Sequence, residues 1–228
     1  MPSSRTLATI ALVGIGLFGL AGCALPSPAP APDDTQIEET DEAEESAPVT
    51  AEGQPDWALP ATTGGEKIAT IEVGDVVVEV YQITVTKATK TGQFANPETN
   101  EPIIAVGDDI VFVNYVVSNT GDPIDLGFSL VSISARYDDW PYLQGMDSVV
   151  DFALFDQVGV NRDPFGPDSY RDPGVYTFGT GERYSFGENF PYQAGSPIGF
   201  EVSVTPVDSE GDLLHDEGLD GSGSGTID

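Results

Sequence analysis

The chain has 228 residues, a formal net charge of −30, one cysteine and one histidine. That charge excludes the basic footprint that holds proteins on phosphate backbones, so no nucleic-acid partner is expected. One cysteine and one histidine exclude a disulfide framework and the clustered ligands of a zinc site, so no metal or other cofactor is expected.

Met1 to Thr6 is polar with one positive charge, Arg5, and Leu7 to Leu20 is apolar or small throughout. As a helix this run rises about 21 Å, short of the roughly 30 Å hydrocarbon core of a bilayer. A charged start, an apolar middle and small residues at a cut describe a secretory signal peptide over residues 1–22. The segment closes on Leu20-Ala21-Gly22-Cys23, which resembles the lipobox of bacterial lipoproteins. The resemblance implies cleavage between Gly22 and Cys23, and transfer of a diacylglyceryl group to the Cys23 thiol. It implies a new N-terminus carrying palmitate-type chains, and a protein held to the cell membrane by lipid on its extracytoplasmic face. Two acyl chains anchor stably where one is marginal, at about 0.8 kcal/mol per buried CH₂. Lipidation also accounts for the unpaired cysteine of an exported chain.

Residues 23–64 carry seven prolines and ten acidic residues with no basic one. Proline repeats favour polyproline II, and the Asp/Glu block repels itself. Few large apolar side chains are present to offset the entropy of ordering, so a disordered acidic stalk is expected. Forty such residues span about 35 Å as a coil and up to about 120 Å extended. Trp57 and Leu59 are candidate contacts where the stalk meets the fold.

Residues 65–207 read as one all-β domain. Glu66–Val73 and Val76–Thr86 are rich in β-branched residues. Ile110–Ser118 is apolar on both faces, as a central strand requires. Leu126–Tyr137 alternates, with Phe128, Leu130, Ser132 and Ser134 on one face. Val175–Phe178 and Arg183–Phe186 flank Gly179-Thr180-Gly181-Glu182, a hairpin signal. Gly199–Val207 points Phe200, Val202 and Val204 inward. About seven strands separated by Gly/Pro/Asn/Asp turns predict an antiparallel β-sandwich. The run Phe112 to Ile124, with its Asn119-Thr120-Gly121 turn, and Gly181-Glu182 ahead of Tyr184 and Phe186 resemble the immunoglobulin-like domains of Gram-positive, including actinobacterial, lipoproteins. The resemblance implies an immunoglobulin-like sandwich and says little of function, because that family is largely uncharacterised.

The chain departs from that pattern with an insertion, 138–173, which holds Tyr137-Asp138-Asp139-Trp140-Pro141-Tyr142 at its start and Arg-Asp-Pro twice, at 162–164 and 171–173. Two readings stand. In one it is a binding loop, with Trp140, Tyr142 and Tyr170 stacking on sugar rings or partner side chains. In the other the aromatics cover an open end of the core, and Arg162 and Arg171 pair with carboxylates. Long loops in compact domains are usually functional or disordered. Phe152, Leu154, Phe155 and Val158 are placed to form a short packed helix or strand.

Residues 208–228 are acidic, with Gly221-Ser222-Gly223-Ser224-Gly225, and are expected to form a flexible tail. Asp208-Ser209-Glu210-Gly211-Asp212 departs from a calcium loop, with Gly fourth and Leu219 twelfth. His215 lies in this tail, where a fold cannot aim it as a catalytic base. Carboxylate pairs such as Asp138/Asp139 leave a hydrolase as a remote alternative. The expected role is non-enzymatic: a lipid-anchored envelope module binding an envelope protein or wall polymer. The other alternative is an accessory subunit of a membrane complex or transporter.

Overall fold

The computed structural model describes residues 53–228. The signal segment, Gly22, Cys23 and the stalk up to residue 52 lie outside the described residues.

Strands β1 (Glu66–Val73) and β2 (Val76–Lys87) form a hairpin through Gly74-Asp75, where Gly74 takes φ 59°. A two-residue turn of this hand needs positive φ, which glycine adopts without a Cβ penalty. β2 pairs with β3 (Asp109–Asn119), and β3 pairs with β6 (Arg183–Pro191), which gives a sheet ordered β1-β2-β3-β6. The second sheet runs β5 (Tyr176–Phe178), β4 (Ile124–Tyr137), β7 (Ser196–Pro206), β8 (Leu219–Ile227). All pairings are antiparallel. The chain changes sheet between β3 and β4, β5 and β6, and β6 and β7. This is the antiparallel β-sandwich expected from the sequence, built of two four-stranded sheets.

β3 is buried on both faces, as its composition predicts. Val111, Val113, Tyr115 and Val117 meet Phe200, Val202 and Val204 of β7 between the sheets. Fully burying each such side chain stabilises the fold by about 1.5–3 kcal/mol. Ile110 and Phe112 point the other way, into a second cluster with Ala88, Ile104, Val149, Leu154, Phe155 and Val160. Helix α1 (Phe152–Val158) supplies part of that cover, and the Phe155 ring meets Phe112 edge-on at 5.0 Å. Gly159 ends the helix in the left-handed region, and its N–H bonds the Phe155 and Asp156 carbonyls.

Polar side chains fasten this cover. The buried Asp147 carboxylate accepts N–H groups from Gln93 (2.7 Å), Phe94 (3.0 Å), Ser148 (2.9 Å) and Ile104 (3.1 Å). A Cβ at Gly92 would overlap that carboxylate, so glycine is required there. The Asn189 amide bonds both the N–H and the C=O of Val149, at 2.8 and 3.0 Å.

Four sequence expectations are corrected. The described residues contain eight strands, because 219–227 is β8 rather than a flexible tail. Its glycines alternate inward where it lies against β1, and Ile227 is fully buried. The Gly179–Glu182 turn joins no hairpin, since β5 pairs with β4 and β6 with β3. Instead the turn arches between sheets, with Gly181 N–H bonding Asn119 O at 2.7 Å. The stalk boundary moves back from 64: Trp57 is 1% exposed in the core, and Leu59 N–H bonds Pro164 O at 2.7 Å. Finally, the alternation of β4 breaks at a bulge between Leu126 and Val131. Leu130 and Val131 are both buried there, and Phe128 is turned outward.

Candidate functional site

The β4 bulge builds the site. Leu130 takes φ 48°, left-handed backbone that costs a residue other than glycine about 1 kcal/mol or more. The irregularity leaves Phe128 56% exposed on the outer face of the second sheet. Its ring is fixed by edge-on contacts with Tyr176 at 5.3 Å and Phe165 at 6.4 Å. Gly174 passes so close to the ring that a Cβ there would lie 2.4 Å from it. Tyr170, 76% exposed, lies 6.2 Å from Phe128 with its plane tilted by 32°.

Below this aromatic ledge runs a groove of about 490 Å³. Its floor is the paired β4–β7 backbone carrying Ser132, Ser203 and Thr205, with Ser129 in the bulge. Ser203 Oγ donates to Asp220 at 2.6 Å and keeps its acceptor capacity. Asp172 and Glu210 are the charged lining residues, and Leu213, 52% exposed, closes the far side. Glu210 is placed by a turn in which the Asp208 carboxylate accepts the N–H groups of Glu210 and Asp212, at 2.9 and 3.0 Å. The groove thus offers an apolar ring face, hydroxyls and acceptor-only carboxylates.

The three aromatics singled out from sequence do not share one surface. Trp140 is 7% exposed, edge-on to Tyr142 at 5.2 Å, and its indole N–H bonds Gln144 O at 3.2 Å. The half-buried Tyr142 hydroxyl accepts from Asn96 Nδ2 at 3.2 Å. Arg136 donates to the carbonyls of both residues. Trp140 and Tyr142 therefore serve packing, and of the three only Tyr170 lies beside Phe128, at the rim of the groove and not in its lining. Arg171 pairs with Asp56 at 2.6 Å, while Arg162 lies over the Phe152 ring at 4.3 Å. Phe128 escaped the sequence reading because strict alternation places it beside Leu130. Gly127, directly before it, is the signal that could have marked a bulge.

A second cavity, of about 430 Å³, lies beside β6, lined by Glu188, Ile133, Ala135, Met146, Asn189 and Arg162 among others. The Glu188 carboxylate accepts the Tyr115 hydroxyl at 3.1 Å. Burial raises the Glu188 pKa above the usual carboxylate range, partly countered by that bond. Burial also pushes the Tyr115 hydroxyl well above its ordinary value, with the charge of Glu188 adding to the effect.

Asp138 and Asp139 are both exposed, and His215 sits on an exposed 3-10 turn, His215–Glu217. Among the described residues no group of three or more His, Cys, Asp or Glu is placed to hold a metal ion. No helix among them is long and apolar enough to cross a membrane. Comparison with protein-family models, with curated proteins and with solved structures found no match.

Proposed function

We propose that this chain is a lipid-anchored, extracytoplasmic binding module of the cell envelope, non-enzymatic, with the β4–β7 groove as its binding face. The observation that carries the reading is the Phe128 ring, held half-open at a strained bulge beside Tyr170 and Leu213. Neighbouring exposed apolar groups around a groove mark binding surfaces more often than scattered ones do. Support for the anchor comes from Leu20-Ala21-Gly22-Cys23 behind its apolar run. The acidic Pro-rich segment that follows sets the module away from the bilayer, toward a wall polymer or an envelope protein.

Two measurements test this. Wild-type cells fed labelled palmitate should label the protein, and Cys23→Ala should abolish the label and release the chain from membranes. The released Cys23→Ala chain should sediment with isolated envelopes, and adding Phe128→Ser with Tyr170→Ser should keep it in solution. A Cys23→Ala form still bound to membranes through the bilayer overturns the anchor. Sedimentation indifferent to the serine pair overturns the groove.

A further inference from the structure

We infer that the β4–β7 groove takes a neutral saccharide, with a pyranose ring lying on the Phe128–Tyr170 ledge; this rests on the groove being the binding face. A pyranose has an apolar C–H face and a rim of hydroxyls that both donate and accept. The ledge supplies apolar ring surface for the first: Phe128 is fixed by edge-on contacts with Tyr176 and Phe165, and the exposed Tyr170 ring lies 6.2 Å from it at a 32° tilt. Serine and threonine hydroxyls on the floor, with Asp172 and Glu210, match the second, since a carboxylate accepts from sugar O–H groups.

Charge narrows the ligand further. Asp172 and Glu210 are the charged side chains lining the groove, and no basic side chain is among the lining residues. A phosphate- or uronate-bearing polymer would meet like charge there, and Arg171, the cation over the neighbouring Tyr176 ring, is already paired with Asp56. Ser132 pairs with Ser203 and Val131 with Val204, so this part of the floor presents side-chain hydroxyls while its β4–β7 backbone is already engaged.

The test uses the full chain and three neutral hexamers: chitohexaose, cellohexaose and maltohexaose. Hexagalacturonate and hexalysine serve as the anionic and cationic probes. Binding is read by saturation-transfer NMR from aromatic protons to sugar C–H protons, and by titration. At least one neutral hexamer should bind, and Tyr170→Ala and Phe128→Ala should each weaken it about tenfold. Tyr170→Phe should keep most of the affinity. Tyr170 is mostly exposed, so its alanine variant should melt like wild type, which separates lost binding from lost folding. The inference fails if no neutral hexamer binds, if binding ignores both substitutions, or if hexagalacturonate or hexalysine binds in their place. Envelope sedimentation that still depends on Phe128 and Tyr170, without saccharide binding, overturns the saccharide alone. Loss of both overturns the binding face as well.

Discussion

Glu188 shows how one inward side chain couples this fold to pH. It projects from β6 beside Tyr115, whose hydroxyl donates to it, and burial raises its pKa. The folded protein therefore holds this proton above the pH at which the unfolded chain gives it up. The native state binds more protons in that window, so stability falls as pH rises from the ordinary carboxylate range through the raised value. Glu188→Gln keeps an acceptor for Tyr115 and removes the ionisation. It should raise the urea midpoint at neutral pH, with the gap to wild type closing as pH falls below the carboxylate range. A gap that widens on acidification would show the carboxylate to be stabilising. None of this is legible in sequence, where Glu188 is one of 38 acidic residues. The aromatics were legible only as a set. Composition marks Trp140, Tyr142 and Tyr170 alike, and only the packing of Trp140 and Tyr142 within their own loop separates those two from Tyr170, which lies beside Phe128.

β8 shows what an element owes to its neighbour. Gly221-Ser222-Gly223-Ser224-Gly225 has the composition of a flexible linker, yet it is a strand paired with β7 from Leu219 to Ile227. A Cβ on Gly221 would lie 2.5 Å from Val73 Cγ2, on Gly223 2.5 Å from Ile71 Cγ1, and on Gly225 2.6 Å from Ile68 O. The glycines are therefore the inward face of a strand pressed onto β1, and the serines are its outward face. Gly223→Ala should cost about 1–3 kcal/mol by overpacking, against little change for Ser224→Thr, measured by urea unfolding. Equal effects of the two substitutions would return the segment to linker status. β3 was legible because its own residues carry the signal: from Ile110 to Ser118 the run is apolar at every step save Asn114 and Ser118. The message of β8 lies in β1. The Gly179–Glu182 turn misled for a related reason, because a tight turn reports a reversal and not which sheet each arm joins.

Across the whole molecule, the sandwich is completed by segments outside the strands that sequence patterning marks. Trp57 enters the core from ahead of β1, its ring 5.2 Å from Tyr184, 5.7 Å from Phe165 and 5.8 Å from Tyr176, and its indole N–H bonds Thr177 O at 2.9 Å. Gly53 O accepts from Arg183 N–H, Thr62 N–H bonds Ser185 Oγ, and Thr62 O accepts from the buried Asn114 amide. The insertion covers the outer face of β3 through Val149, Leu154, Phe155 and Val160, while β8 covers β1. The leading segment and β8 also lie outside 65–207, and neither carries a strand pattern of its own, which is why that span reads as self-sufficient. A chain trimmed to 65–207 loses Trp57, the Thr62 bridge to Asn114 and Ser185, and all of β8. Removing the Trp57 side chain alone should cost about 3–5 kcal/mol. That is a large fraction of the whole stability of many domains, about 5–15 kcal/mol. Residues 53–228 should therefore unfold in one cooperative thermal transition, Trp57→Ala in the same chain should melt well below it, and 65–207 should show no cooperative melt. If 65–207 unfolded cooperatively near the midpoint of 53–228, the leading segment and β8 would be accessories, and the stalk would end where its composition does.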